Sequence, residues 1–196
     1  PHYLRTIPSL AMVEFTPRWR GMKEKLEMPQ GSEVLSRPLG EKRTRCRYTT
    51  TRDLTLLPLH LAEAAPETAP DGRTVIRLRF DCSELTDWSR IDMARLPLYF
   101  NADAPLACAL HEALTLNVAS LRLRLPGLVD PIPLDGWFAP GGFGDEDNLW
   151  PKGEGGFSGW QLLLEYFTFR EKFMSVALCG LESVRLPERI SGFEIE

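Results

Sequence analysis

Histidine is the side chain best suited to proton transfer near neutral pH, and this chain has three. His2 stands beside the first residue. His60 falls between Leu59 and Leu61 on the opposite face of a strand pattern and reads as exposed. His111-Glu112 begins like a zinc-protease helix motif, but Thr115 occupies the position of the second histidine, so a helix-surface histidine is the simpler reading. Gly156-Phe-Ser158-Gly-Trp160 follows the nucleophile-elbow pattern G-x-S-x-G until its last residue, and no strand leads into it. Ser158 with Gln161 has instead the form of a capping box at a helix start. Pro140-Gly-Gly-Phe-Gly144 could cradle a phosphate, but no Gly-Lys-Ser/Thr follows, and Asp145-Glu146-Asp147 would repel the anion. Those acids also lack the alternating ligands and trailing Glu of a calcium loop. Cys46, Cys82, Cys108 and Cys179 form no CxxC pair and read as buried free thiols. No catalytic constellation, cofactor site or metal site is expected.

Two other groups of residues could bind rather than react. Lys42, Arg43, Arg45 and Arg47 form a basic run, either a phosphate patch or a solvated loop with a strand edge; the net charge of −4 favours the second and argues against nucleic acid. Trp137, Phe138, Phe143, Trp150 and Phe157 crowd an irregular, proline- and glycine-rich stretch. Aromatics so placed either plug a core or form a protein interface. Arg77/Arg79 and Arg122/Arg124 alternate with apolar residues and read as the wet faces of sheets.

The elements that must position these residues are mostly strands. Apolar residues make up 43% of the chain and charged residues 26%, an ordinary balance for a chain able to bury a core. No apolar run reaches the roughly 18 residues that cross a bilayer. Ile76, Leu78, Phe80 and Cys82 alternate with Arg77, Arg79 and Asp81, the cleanest half-buried strand. Leu96, Leu98 and Phe100 repeat the pattern, as do Leu121, Leu123 and Leu125. Ala11–Phe15, Val34-Leu35, Cys46–Thr51 and Leu54–Leu61 are further strand candidates, the last with a bulge or edge near Leu56-Leu57. Ala62–Gly72, with Pro66, Pro70 and Asp71-Gly72, reads as a loop. Asp103 caps a helix near 104–117 whose face is Leu106, Leu110, Ala113 and Leu114. A second helix, near 159–169, presents Trp160, Leu163, Leu164 and Phe167 on one face. It passes through a charged hinge, Arg170-Glu171-Lys172, into a buried strand ending at Cys179, and is expected to pack back on a sheet. The class is α+β and sheet-dominated, an antiparallel β-sandwich-like core with about two packed helices. Residues 1–40 read as an extended segment and linker, and 41–196 as a β-rich domain. The opening at Pro1 and the alternation at Phe193–Glu196 suggest a fragment of a longer protein.

Several short motifs in order then resemble the TssF family (VasA/ImpG) of the type VI secretion system. Leu162-Leu-Leu-Glu-Tyr-Phe-Thr-Phe-Arg-Glu-Lys-Phe173 with Gly180-Leu181 is similar to its "LLQEYFAFPEKF…GL". Ile7–Phe15 resembles "IPSMAIVQF", Met28–Ser32 "IPRGT", and Cys46–Thr50 with Leu56–Leu59 "CRFRTT…LLPL". Leu98–Phe100 with Leu110–Leu114 resembles "FYL…LYEAL", and Gly142–Glu146 with Leu149–Pro151 "GFxxDExLLP". Arg170 departs from a common Pro, and Gln30 and Ser32 from Arg and Thr. The resemblance implies a structural, non-enzymatic part of a phage tail-like bacterial baseplate wedge without cofactors. Its partners would be TssG, TssK, TssE and a second TssF copy, around the tube and spike hub where the sheath begins. It would sit in the cytoplasm against the inner membrane, without membrane insertion. The rival class is a carbohydrate- or ligand-binding β-sandwich module, for which an aromatic loop is also suited.

Overall fold

The computed structural model of the chain describes residues 6–151 and 157–196; His2, Gly156 and the start of the proline-marked N-terminal stretch lie outside them. In chain order the strands and helices are β1 (Leu26–Met28), β2 (Glu33–Leu35), β3 (Arg47–Thr49), β4 (Leu54–Leu56), β5 (Leu59–Thr68), β6 (Thr74–Cys82), β7 (Arg95–Tyr99), α1 (Ala104–Leu116), β8 (Leu121–Arg124), β9 (Ile132–Leu134), β10 (Trp137–Pro140), α2 (Ser158–Thr168), β11 (Ser175–Cys179) and β12 (Gly192–Ile195). Every named pairing is antiparallel. A five-stranded sheet runs β5-β6-β12-β8-β9 and a three-stranded sheet β10-β11-β7, with β1-β4 and β2-β3 as separate ribbons. The architecture is α+β and dominated by sheet, as the alternation implied.

One buried cluster joins the two larger sheets: Phe80, Leu123, Phe193 and Ile195 come from the five-stranded sheet, and Leu96, Phe138, Val176 and Leu178 from the three-stranded one. Each such side chain, fully buried, contributes about 1.5–3 kcal/mol. Ala177 and Cys179 point the other way along β11 and are buried too, because α1 lies across β10 and β11 on that side. This explains why β11 reads as an unbroken apolar run: both of its faces are covered.

The sequence reading fails in two places here. Ala62–Thr68 is not a loop but the second half of β5, paired with β6 through Pro66↔Ile76. Pro66 is tolerated because β5 is an edge strand, whose outer side donates to no ladder; the true turn is Ala69–Gly72, with Gly72 at φ 82. Ala11–Phe15 forms no strand, and Met12 and Val13 stay exposed, since no described strand pairs with them. Polar bonds tie the segment down at Met22. Buried Ser83 and Thr86 donate from their hydroxyls to the Met22 carbonyl at 2.7 and 2.9 Å, and Trp88 donates its indole N–H to the Ser83 carbonyl at 2.9 Å.

Candidate protein-interaction site

The two helices treat their apolar faces in opposite ways. In α1, Asp103 caps the start by accepting from the Leu106 amide at 3.2 Å, as its sequence announced. The inward face is centred on Ala107, which is fully buried, with Leu110, His111 and Leu114 half-buried; Leu106, assigned inward from the sequence, is exposed. His111 is therefore half-buried rather than fully exposed. Its ring meets Phe100 edge-on at 6.5 Å, and its Nε2 is buried without a hydrogen-bond partner. No group of three His, Cys, Asp or Glu side chains gathers around it or elsewhere among the described residues.

In α2 the apolar stripe points outward. Phe157 is 72% exposed, Trp160 57% and Phe167 82%, with Leu163 and Tyr166 exposed beside them. The residue α2 buries completely is Glu165, at 0%. Its Oε1 accepts from the Leu149 amide at 3.1 Å and from the Gln161 amide group at 3.0 Å. Its Oε2 pairs with Lys172 Nζ, whose side chain is only 6% exposed. Gln161 also donates to the Trp150 carbonyl at 2.9 Å. The expected capping box is absent: Phe157 occupies the cap position without a side-chain bond, Ser158 is the first helical residue, and Gln161 serves the loop instead. The helix does not bring its apolar face to a sheet, because loop residues Leu149 and Trp150 and the turn Arg170–Phe173 cover its polar face first.

That loop is tied down by charge. Asp147 Oδ1 accepts from Arg52 at 2.8 Å, and its Oδ2 accepts from the Gly142 amide at 3.1 Å. The amide that a phosphate would need is thus taken by the chain's own carboxylate. Gly142 sits at φ 84 with the Lys172 carbonyl 2.6 Å from where a Cβ would stand, so this crossing requires glycine. Buried Phe173 anchors the far side, with Phe143 at 5.0 Å, Tyr166 at 5.6 Å and the Lys172 ammonium 5.0 Å over its ring. Nearby Tyr99 has its phenol pKa raised by burial and, less, by the Glu171 carboxylate.

The five aromatics singled out from sequence separate into three groups. Trp137, Phe143 and Phe157 are exposed, and Trp150 is half-buried. Phe138 is 5% exposed and belongs to the core, because alternation along β10 turns it inward while Trp137 turns out. Sequence reasoning missed Glu165 and Lys172, which it treated as a motif residue and a hinge charge. Their signal was the polar row Gln161, Glu165, Lys172, at spacings of four and seven, opposite the apolar stripe. The arginines of the wet sheet face pair across strands, Arg77 with Glu67 at 2.9 Å and Arg124 with Glu196 at 2.5 Å. All four cysteines are free, but Cys108 is exposed on α1 and Cys46 half-buried, so only Cys82 and Cys179 fit the buried-thiol expectation.

The fold is thus an α+β body of antiparallel sheets that carries one helix with its apolar stripe outward. The chain belongs to the family described as "Type VI secretion system, TssF", whose model matches residues 1–196. It is 27% identical over 212 residues to "Type VI secretion system component TssF1" of Pseudomonas aeruginosa, covering 100% of this chain and 34% of that protein. Among solved structures it is similar to a chain of the "type VI secretion system TssK-TssF-TssG baseplate subcomplex" with a TM-score of 0.93 and 57% identity, covering 99% of this chain and 36% of the other. A chain of "the baseplate complex from the type VI secretion system" aligns with a TM-score of 0.59 and 56% identity, over 98% of this chain and 33% of the other. The chain thus spans about a third of the length of these relatives. No helix among the described residues is long and apolar enough to cross a membrane.

Proposed function

We propose that this chain is the portion of a baseplate subunit that holds a neighbouring subunit through the outward face of α2. The carrying observation is the inversion of that helix: Glu165 is sealed inside while Phe157, Trp160, Leu163 and Phe167 face outward. Isolated surface aromatics are common, but three aromatics and a leucine on one stripe of a helix are of the kind that partners cover. The relatives are components of assemblies with TssK and TssG, and equivalents of these are the partners we assign, with TssE and a second TssF copy around the same hub. The work is mechanical, without catalysis, and takes place at the cytoplasmic side of the inner membrane. A sugar-binding site would need free polar side chains beside its aromatics; here Gln161, Glu165, Lys172 and Asp147 are engaged with one another, the loop backbone and Arg52.

Co-purification tests this reading. The full-length protein is expected to recover the TssG and TssK equivalents, and Trp160→Glu with Phe167→Glu to lose at least one of them while the protein stays soluble and folded. Undiminished recovery with both charges in place would refute it.

A further inference from the structure

The β2–β3 hairpin is a second surface of different chemistry. Its hydrogen bonds close on themselves: the Leu39 amide donates to the Thr44 carbonyl and Thr44 returns the bond, at 2.9 and 3.1 Å, and the Ser36 amide donates to Cys46. All nine residues from Arg37 to Arg45 are exposed. From Glu33 to Arg47, both included, stand five basic side chains and two acidic ones, in a chain whose net charge is −4. Arg47 is paired with Glu33 at 3.0 Å. Arg37, Lys42, Arg43 and Arg45 have no acidic partner among the described residues, whereas Arg77, Arg79 and Arg124 on the five-stranded sheet are all paired.

The tip carries a second, independent feature. Arg43 has φ 48 and is the one non-glycine residue with positive φ among those described. This left-handed backbone disfavours any side chain with a Cβ, and glycine is the residue that relieves it. An arginine standing where glycine would relieve the backbone favours a use for its charge rather than for its shape.

We propose that this hairpin is an arm that docks into an acidic surface of another protein subunit of the same assembly. A protein fits better than a duplex or a membrane. Lys42 and Arg43 stand in the four-residue turn 40–43 and Arg37 and Arg45 flank it, a compact cluster at one tip rather than a long basic run. Exposed Leu35 and Leu39 are interleaved with them, and the acidic body behind would repel a polyanion at longer range. The inference rests on the baseplate reading but uses a different surface from α2.

The test is assembly of the full-length protein with purified TssG and TssK equivalents, titrated at low and high salt. Replacing Lys42, Arg43 and Arg45 together with Glu is expected to weaken assembly about tenfold or more at low salt, with the difference fading near 1 M, where the Debye length is about 3 Å. Arg43→Gly separates charge from fold: it should melt no lower than the parent and still assemble more weakly. Normal assembly by the parent and the charge-reversed protein alike, at every salt, would overturn the arm and leave the α2 reading standing. No assembly by the parent would overturn both. Tighter capture of the parent by phosphatidylglycerol vesicles or duplex DNA than by the subunits, lost on charge reversal, would overturn the protein partner.

Discussion

Helix α1 and helix α2 start from similar sequence patterns and end in opposite arrangements. Both carry apolar residues at spacings of three and four, and both adjoin the three-stranded sheet in sequence. α1 is capped by Asp103 and turns fully buried Ala107 toward β10 and β11. α2 has no side-chain cap, seals a carboxylate, and shows its aromatics to solvent. Periodicity identifies a stripe, but what else competes for the helix decides which side is buried. For α2 the competitor is the loop Gly141–Trp150, whose amide and carbonyl groups need partners that Gln161 and Glu165 supply. The proposed interface rests on that arrangement, aromatics outside and a satisfied ion pair inside.

The largest effect should come from breaking the buried pair. Lys172→Ala leaves the Glu165 carboxylate sealed and unpaired, and should destabilise by about 3–5 kcal/mol in urea titrations. Replacing both with apolar residues, Glu165→Leu and Lys172→Met, should recover much of that loss. Equal losses in the single and double variants would mean that the loop amide, not the charge, is what matters.

Next in size is crowding of α1. Ala107→Phe overfills the contact with β10 and β11 and should cost about 1–3 kcal/mol. The matching change on α2, Phe167→Ser, should shift stability by no more than about 0.5 kcal/mol, because the ring is 82% exposed. A loss at Phe167 as large as at Ala107 would erase the distinction between the helices.

Caps come third. Asp103→Ala should lower stability by about 1 kcal/mol, whereas Phe157→Asp should raise it by a similar or smaller amount by giving α2 the cap it lacks. Thermal melts of the two variants should move in opposite directions.

The smallest expected difference is chemical. Cys108 lies exposed on α1 and should react with iodoacetamide near neutral pH, while Cys82 should not. Burial, and secondarily the Asp81 carboxylate, pushes the Cys82 thiol from 9.0 up to about 12. Its folded pKa is the higher one, so the neutral thiol's contribution to stability is intact below pH 9 and is lost as pH rises toward 12. Thiolate absorbance during alkaline titration would check the order in which the cysteines ionise.

The sheets were legible where one face is wet. β6, β7 and β8 each alternate cleanly, and their inward residues are core residues in the structure, Phe80, Leu96 and Leu123 among them. The far half of β5 was hidden by Pro66 and by a run of alanines, because an edge strand need not look like a central one. The insertion of β12 between β6 and β8 is a pairing between distant segments, and no local pattern records it. At the candidate site the aromatic residues could be found but not sorted. Trp137 and Phe138 are adjacent, and only the register of β10 against β11 sends one out and the other in. Lys172 looked like a hinge charge because nothing in Arg170-Glu171-Lys172 tells which of the three returns to the helix.

The central claim is that the outward stripe of α2 is covered in the assembled baseplate. Carbene footprinting of the full-length protein, alone and in complex with its TssG and TssK equivalents, reads that directly. We expect Phe157, Trp160 and Phe167 to label strongly in the free protein and to become protected in the complex, while buried Trp88 stays unlabelled in both. Equal labelling of the three residues before and after assembly would contradict the account.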